Sequence, residues 1–465
     1  MTGRVGVADV SRAPEPAEAE PRSRTLFGEP LRRLILVALG LFIVDAALVI
    51  TSTHRAPELS PFDEWTHADY AYQISHGHIP AKGSLIAPEI LREFACHGLW
   101  TPISLPPCGL HNPPPSAYPD NGENYNFSHP PLYYALTGFT ARAVDAVLPG
   151  EHFITLARVV GVLWLFAAAM VLYVGVRRFE VVWQIALAAA ACLGLCPLVL
   201  HADSTVNNDA AAPLSGALAI WLLARILVQG RTGWVVPCLL TLACTATKVL
   251  NGLPFLIVLA ILAVIVLARR RTEPRTSRQL LVTAMSMALA FVVVYKGWAI
   301  FQSGRGLAHW VSPIAGVSDR PVRGFPFDEL LSNSFTGLNF VSSYYLPTSI
   351  NGRDVVIWNS LLAAVLSAAP FVCLLAFRAR TSRWLVGLVA LVGVVSYPLV
   401  VELQGYVENR TYFPSVVARY GITFVPWLLA ALALAVNTRG WRRISLAFAA
   451  AGTAVMLGAT TGIYS

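Results

Sequence analysis

Long apolar stretches recur along most of the chain and predict its overall class. Apolar runs with at most one charged residue each cover residues 34–51, 153–176, 182–200, 212–228, 250–267 and 280–295, and further runs follow residue 355. Several reach about 18 residues, the length at which an α-helix can cross the roughly 30 Å apolar core of a bilayer. The pattern therefore predicts an all-α integral membrane protein that crosses the bilayer many times.

Basic clusters between the apolar runs predict the topology. Cytoplasmic ends of membrane helices collect Lys and Arg. Every arginine cluster is cytoplasmic if the amphipathic segment 130–148 lies on the membrane surface instead of crossing it. The N-terminus is then inside and the C-terminus outside. This arrangement has about 11 transmembrane helices, at residues 32–52, 153–176, 182–201, 209–228, 233–248, 250–268, 279–300, 356–377, 384–402, 420–437 and 444–463.

Hydrophilic segments divide the rest of the chain. Residues 1–30 are polar and rich in Pro, Ala and Glu, and they predict a disordered cytoplasmic tail ahead of a membrane domain at 31–465. Within that domain, residues 54–150 form a long first extracytoplasmic loop with surface helices next to the membrane. Residues 301–354 form a second extracytoplasmic loop.

Composition and charge exclude several other classes. Apolar residues make up 55% of the chain and charged residues 13%, whereas about 25% of a soluble domain is charged. This excludes a soluble enzyme and a disordered protein. The net charge of +8 does not indicate nucleic-acid binding, because the basic residues form short clusters instead of one basic face. Cys96 and Cys108 share the first loop, where an oxidising compartment permits a disulfide, but the sequence leaves their pairing open.

The start of the first loop carries two adjacent carboxylates. Asp63 and Glu64 follow the first predicted helix and stand among aromatic residues, which suits a general base for an acceptor hydroxyl. The alternative is a solvated start to a surface helix. The loop also holds seven of the ten histidines, which together with Asp63, Glu64 and Asp69 could bind a divalent metal. No HxxxH or HExxH spacing occurs, so the sequence requires no cofactor and leaves the metal open.

Other polar positions interrupt the apolar pattern near the predicted outer face. His129 stands before two prolines that start a helix, and a helix N-terminus favours a phosphate; the alternative is a rigid turn. Arg158 and Lys248 lie in or beside apolar runs, where charged groups by default mark a functional site. Snorkelling to the interface is the alternative for these two.

Five motifs in a fixed order carry a resemblance to a known family. They are Phe62-Asp63-Glu64-Trp65-Thr66-His67, His129-Pro130-Pro131-Leu132, Arg158 before a long apolar helix, Asn207-Asn208-Asp209-Ala210, and Lys248 after a small-residue-rich helix. Their order resembles the GT-C superfamily of polyprenyl-phosphate-sugar glycosyltransferases. In particular, it is similar to the branch with protein O-mannosyltransferases, lipid A aminoarabinose transferases and many uncharacterised bacterial membrane proteins. The resemblance covers about residues 35–300 well and the C-terminal third loosely.

The resemblance implies a GT-C fold and an inverting transfer of a monosaccharide from a polyprenyl-phosphate carrier to an extracytoplasmic cell-envelope acceptor. It implies Asp63 as the catalytic general base, together with Glu64. The residues implied to bind the donor phosphate are His129, Arg158 and Lys248. Further residues expected to bind substrate are His67, Asn208, Asp209, Arg419 and Tyr420.

The expected partners follow from the same resemblance. They are a polyprenyl-phosphate-linked sugar donor, membrane lipid, and an envelope glycan, a lipid or an exported protein as acceptor. The expected location is the plasma (inner) membrane, with the site on the extracytoplasmic side. Two alternatives stay open, namely a transporter or flippase for a lipid or solute and a non-catalytic GT-C-like assembly subunit. The long outer loop with paired carboxylates and the lack of a visible repeat speak against a transporter.

Overall fold

The computed structural model describes residues 25–26, 29–147, 149–314, 320–336, 343–413 and 416–463 of the protein. Its α-helices, in chain order, are α1 (Leu31–Arg55), α2 (Glu64–Ser75), α3 (Pro88–His97), α4 (Leu132–Asp145), α5 (Phe153–Val159), α6 (Gly161–Arg177), α7 (Trp183–Gly194), α8 (Pro197–Ser204), α9 (Ala212–Leu227), α10 (Val235–Thr247), α11 (Leu253–Arg269), α12 (Pro274–Ser303), α13 (Phe327–Thr336), α14 (Arg353–Ala376), α15 (Ser382–Asn409), α16 (Val425–Ala435) and α17 (Trp441–Thr461).

Strands are few and short in the described residues. β1 (Thr25–Leu26) pairs antiparallel with β2 (Glu29–Pro30), and β3 (Arg320–Pro321) pairs antiparallel with β4 (Thr411–Tyr412). Most of the predicted N-terminal tail lies outside the described residues, and the part inside them forms β1 and β2. The predicted all-α membrane fold is confirmed, because the other regular elements of the described chain are helices.

Nine helical segments of the described chain are long and apolar enough to cross a membrane. They are Leu31–Arg55, Phe153–Arg177, Asn208–Leu227, Val249–Arg269, Pro274–Ser303, Arg353–Ala376, Ser382–Asn409, Ala418–Ala435 and Trp441–Thr461. The pair α7 and α8 meets at a bend of 60° and would make a tenth span if it crosses as one unit. The protein is therefore a multi-pass membrane protein.

The predicted count of eleven spans is not confirmed, and two helices explain the difference. α10 has 13 residues and rises only about 20 Å, less than a bilayer core. α7 and α8 were expected as one straight helix, but Pro197 begins α8 and cannot continue the hydrogen-bond ladder of the preceding helix.

Two glycines allow close backbone contacts that position polar residues at one end of the helices. A side chain in place of Gly161 in α6 would collide with the backbone carbonyl of Asp203. A side chain in place of Gly216 in α9 would collide with the carbonyl of Thr423 in the 3₁₀ segment Ala418–Phe424. Small residues let membrane helices approach this closely. As a result, the start of α9 lies against the segment that carries Arg419.

The first loop folds into three helices, α2, α3 and α4, placed between α1 and α5. α4 packs on α2, where Gly138 lies directly against the carbonyl of Ala71. α4 has 14 residues and is not among the candidate spans, which agrees with the predicted surface helix. Cys96 and Cys108 form a disulfide that ties the end of α3 to the following loop, with a Cα–Cα distance of 4.5 Å.

Candidate functional site

Asp63 stands at the turn between α1 and α2. Its backbone adopts a left-handed conformation with φ of 68°, which Asp tolerates better than most residues. The Asp63 carbonyl accepts hydrogen bonds from the first turn of α2, including one from the Thr66 hydroxyl. Tyr125 donates its hydroxyl to Oδ1 at 2.8 Å, and Arg419 donates Nη2 to Oδ2 at 2.7 Å.

The Asp63 carboxylate is the first of four charges that alternate in sign. Arg419 also lies 3.5 Å from an Asp209 oxygen, and Asp209 binds the ammonium group of Lys248. The order is thus Asp63, Arg419, Asp209 and Lys248. The side chains of Asp209 and Lys248 are almost fully buried, whereas 26% of the Asp63 side chain is exposed. Mutual pairing makes the burial of these charges tolerable, and Asp63 is the member that faces the opening.

The ends of three membrane helices bring these charges together. Asp209 is the second residue of the span Asn208–Leu227, Arg419 is the second residue of the span Ala418–Ala435, and Lys248 directly precedes the span Val249–Arg269. Asn207 caps the start of its span by accepting a hydrogen bond from the Asp209 N–H. The predicted placement of these groups at the same side of the helix bundle therefore agrees with their direct contacts.

A cavity of about 340 Å³ opens beside this charge array. We call it the charged cavity. It is lined by Asp63, His67, Tyr125, Asn126, Phe127, Ser128, His129, Lys248, Trp310, Ser312, Ile314, Arg419 and Tyr420. One carboxylate and two cations thus share the cavity with aromatic rings. Such a mixture suits a ligand that has an anionic group next to a polar, ring-shaped group.

The ring of Tyr420 lies close to both cations of the cavity. The Lys248 nitrogen lies 4.7 Å from the centre of the Tyr420 ring, and the Arg419 guanidinium carbon lies 5.4 Å from it. Cations are attracted to the face of an aromatic ring at these distances. The ring therefore fixes the positions of both cations without neutralising them.

Two neighbouring histidines at the cavity are uncharged. The pKa of His67 is well below its usual value, first because the ring is buried and then because His129, Arg419 and Lys248 are near. Enclosure by the protein, followed by the charges of Lys248 and Arg419, lowers the pKa of His129 to about 3. The rings of His67 and His129 stack with centres 5.9 Å apart. Each neutral imidazole can therefore donate or accept a hydrogen bond but adds no positive charge.

Asn208 is linked to His67 through the hydroxyl of Tyr134. Its Nδ2 donates to the Tyr134 hydroxyl at 3.1 Å, and the same hydroxyl lies 2.8 Å from Nδ1 of His67. Asn208 is fully buried and is not part of the cavity lining formed by the described residues. The geometry gives Asn208 an orienting position instead of direct access to a ligand.

Glu64 and Arg158 bind each other outside the charged cavity. Arg158 donates Nε and Nη2 to the two Glu64 oxygens at 2.7 and 2.8 Å. It also donates to the carbonyls of Ala56 and Glu58. The Glu64 side chain is fully buried and also accepts the Val206 N–H. Neither residue belongs to the cavity lining formed by the described residues, so the pair holds the turn after α1 against α5 and the segment after α8.

The cavity lining also includes residues that none of the sequence motifs contains, among them Tyr125 and Trp310. Tyr125 donates to Asp63, and it stands next to the motif that contains His129. Trp310 comes from the second loop and donates its ring N–H to Glu123 at 2.7 Å. Tyr125 could have been noticed as an aromatic residue beside a motif. No pattern in the sequence connects residue 310 with the first loop.

The histidine-rich first loop does not assemble a metal-binding cluster within the described residues. No three His, Cys, Asp or Glu side chains in that part of the chain lie close enough together to hold an ion. The described carboxylates at the charged cavity are instead paired with cations, as Asp63 is with Arg419.

Comparisons with known proteins identify a distant structural likeness. No protein-family model matches the sequence, and no curated protein matches it. The chain is similar to the crystal structure of ArnT from Cupriavidus metallidurans bound to undecaprenyl phosphate, with 15% sequence identity and a TM-score of 0.47. The likeness covers 90% of this chain and 62% of ArnT, so this chain spans less than two thirds of that protein. A likeness of this degree assigns neither substrate nor catalytic residues.

Proposed function

We propose that this protein is an integral membrane glycosyltransferase that moves a monosaccharide from a polyprenyl-phosphate carrier to an acceptor on the extracytoplasmic side. One observation carries the proposal: the Asp63 carboxylate faces the same cavity as the two cations Lys248 and Arg419. Transfer from a phosphate-linked sugar needs a base for the acceptor and positive charge for the leaving phosphate. The motif order in the sequence supports the same activity.

In the proposed reaction, Asp63 removes the proton from the acceptor hydroxyl while that oxygen attacks the anomeric carbon of the donor sugar. The bond between this carbon and the phosphate oxygen breaks, and its electron pair leaves with the polyprenyl phosphate. A single displacement from the opposite face inverts the configuration at the anomeric carbon. The proton ends on Asp63 and the negative charge on the phosphate.

Lys248 and Arg419 are the groups that we assign to the departing phosphate. Both are held in place by Asp209 and by the Tyr420 ring. Cations that are in position before the chemical step stabilise the developing negative charge without reorganising during that step. His129 contributes a neutral hydrogen bond beside them, because its lowered pKa leaves the ring uncharged. His67 orients His129 by stacking on it.

Arg419 gives the site a means to couple donor binding to base activation. In the structure its guanidinium binds Asp63 at 2.7 Å and approaches Asp209 at 3.5 Å. An arriving phosphate competes with Asp63 for Nη2 of Arg419. When the guanidinium turns toward the phosphate, the Asp63 oxygen becomes available to the acceptor hydroxyl.

Glu64 and Arg158 have a supporting role in this proposal. Each is buried and satisfied by the other, so neither has a free group to offer a substrate. The general base is therefore Asp63 alone.

The test uses purified protein in lipid nanodiscs with a panel of radiolabelled polyprenyl-phosphate sugars and a crude envelope extract as acceptor. Wild type is compared with Asp63→Asn and with Asp145→Asn, whose carboxylate is exposed at the end of α4. We expect Asp63→Asn to reduce donor consumption by about 10² to 10⁴-fold and Asp145→Asn to behave like wild type. Consumption by Asp63→Asn at the wild-type rate would contradict the proposal. Transport of intact donor or solute by the same protein in proteoliposomes, without sugar release, would favour the transporter.

A further inference from the structure

Three arginines gather at the end of the helix bundle that lies opposite the charged cavity. Arg178 directly follows α6, Arg225 lies in the last turn of α9, and Arg231 belongs to the segment after α9. α9 begins shortly after Asp209 at the charged cavity, and its 16 residues carry the chain about 24 Å away along the helix axis. We call the three residues the arginine cluster.

Close packing between α6 and α9 places two of these arginines on one aromatic ring. A side chain in place of Gly175 in α6 would touch the backbone of Trp221 in α9, so the two helices approach closely. Arg178 follows Gly175 by three residues, which is the spacing of neighbours on one helix face. Its guanidinium carbon lies 4.3 Å from the centre of the Trp221 ring, and that of Arg225 lies 5.7 Å from the same centre. The ring thus holds two cations beside each other.

No carboxylate of the described residues compensates the arginine cluster. None of its three members forms an ion pair with another described residue. Glu180 is the acidic residue nearest to Arg178 in the sequence, and it binds Arg383 at 2.6 Å. The neighbouring Arg177 differs from Arg178 in this respect, because it binds Glu29. The positive charge of the cluster is therefore left without a carboxylate.

The helix ends neutralise only part of this charge. A helix C-terminus carries about half a negative charge, and both α6 and α9 end at the cluster. They supply about one negative charge against three positive ones, so about two positive charges remain. The same imbalance affects Arg178, since its enclosure by the protein, followed by the charges of Arg225 and Arg231, lowers its pKa to about 10. Arg178 stays charged at neutral pH, beside two further cations.

The arginine cluster is accessible where two membrane-spanning segments end. The candidate spans Phe153–Arg177 and Asn208–Leu227 end next to it, and all three arginines are at least partly exposed. The Nε atom of Arg225 is enclosed, but its terminal nitrogens are not, and they form no hydrogen bond with a described residue. Val228 is 43% exposed, and Trp221 is partly exposed. A ligand can therefore meet guanidinium groups and an apolar surface in one place.

We infer that the arginine cluster binds the headgroup of an anionic phospholipid. A planar guanidinium group matches two oxygens of a phosphate and can stack on an aromatic ring at the same time. Basic pockets between membrane helices bind such headgroups. Each phosphodiester carries one negative charge, so the charge that remains at the cluster corresponds to about two phosphodiesters, as in cardiolipin. The acyl chains would enter the bilayer beside Trp221 and Val228.

A phospholipid fits this place better than a soluble anion or a nucleic acid. Inorganic phosphate would pair with the guanidinium groups but leave Val228 and the Trp221 ring in water. A nucleic acid needs cations spaced along its backbone, whereas two of these three share one ring. A lipid phosphate is already held at the depth where the spans end, which raises its effective concentration at the cluster. Unselective snorkelling of arginines to any headgroup is the remaining competitor.

The test titrates full-length protein in detergent with cardiolipin, phosphatidylglycerol or phosphatidylcholine, and native mass spectrometry counts the lipids retained. We expect cardiolipin to bind at least about tenfold more tightly than phosphatidylcholine, with phosphatidylglycerol between them. The double variant Arg178→Gln/Arg225→Gln should lose this preference. Arg378→Gln is the matched control and should keep it, because Arg378 is an exposed arginine that follows another membrane helix, α14.

Melting temperatures with and without each lipid provide a second measurement, because a ligand that binds the folded state stabilises it. Arg231→Gln changes an exposed side chain and should weaken cardiolipin binding about threefold, which keeps the test informative if the double variant does not fold. Equal retention of cardiolipin and phosphatidylcholine by wild type overturns the inference. Equal loss of the preference in Arg378→Gln also overturns it, since all exposed arginines would then act alike. Stabilisation by excess inorganic phosphate that equals stabilisation by cardiolipin would show that a free anion is sufficient, and it would overturn the lipid assignment.

Discussion

Arg419 and Asp63 are 356 positions apart in the chain, yet Nη2 of the arginine donates to Oδ2 of the aspartate at 2.7 Å. The contact joins the turn after α1 to the start of a late membrane helix. Because the same guanidinium approaches Asp209, Arg419 links the carboxylate at the cavity opening with the buried Lys248–Asp209 pair.

Replacing Arg419 with Lys should test this bridging role. A lysine keeps the charge but cannot present a planar fork to two carboxylates. We expect Arg419→Lys to reduce the kcat of sugar transfer at least about tenfold with little loss of folded protein. Arg378→Lys, at an exposed position, serves as the control in the donor-consumption assay. Equal kcat in wild type and Arg419→Lys would mean that a simple positive charge is sufficient.

Breaking the Glu64–Arg158 pair should lower the free energy of unfolding, whereas replacing Asp63 should change it little. Glu64→Gln removes the charge that compensates a buried guanidinium, and breaking a buried pair typically costs about 3–5 kcal/mol. We therefore expect a clear decrease in melting temperature for Glu64→Gln. Asp63→Asn should melt close to wild type, because its carboxylate is partly exposed. Thermal unfolding in detergent measures both. A Glu64→Gln protein with wild-type melting temperature and no activity would restore Glu64 as a catalytic candidate.

The sequence indicates several of the polar residues that line the charged cavity, but not the contacts between them. Asp63, Lys248 and Arg419 are recognisable because charges at the ends of apolar runs are costly and by default mark a functional site. Their pairing depends on contacts between distant helices, which no local pattern reports. For the same reason, the sequence does not indicate that Arg158, which the resemblance assigns to the donor phosphate, binds Glu64. The bend at Pro197 and the short α10 depend on how neighbouring helices pack, so the number of spans could not be counted from hydropathy alone.

The lowered pKa of His129 predicts how donor affinity depends on pH. With a pKa of about 3, the ring is neutral in the free protein from pH 6 to 8 and contributes only a hydrogen bond. We expect the KM for the donor to be nearly constant over that range. His129→Gln, which keeps a donor group, should retain most activity, whereas His129→Ala should lose it about tenfold. A KM that rises with pH in wild type but not in His129→Gln would instead indicate a cationic imidazole, which loses its charge as pH rises.

The raised pKa of Asp69 predicts that the folded protein becomes less stable as the pH rises. Burial raises the pKa of its carboxyl to about 7, despite the hydrogen bonds from Ala87, Asn124 and Gln73 that favour the charged form. An unfolded Asp titrates near pH 3.9, so between about pH 4 and 7 the folded state holds a proton that the unfolded state has released. The stabilisation is therefore complete below about pH 4 and decreases as pH rises to about 7, by a total of about 4 kcal/mol.

The comparison with Asp69→Asn isolates this contribution, because buried histidines such as His67 act in the opposite direction in both proteins. A lowered histidine pKa makes the folded state gain stability as pH rises toward about 6.5. We expect the melting temperature of wild type minus that of Asp69→Asn to be largest near pH 5 and to decrease by pH 8. Asp145→Asn, at an exposed position, should follow wild type throughout. A difference that stays constant with pH would show that Asp69 is charged in the folded protein, held by its three hydrogen-bond donors.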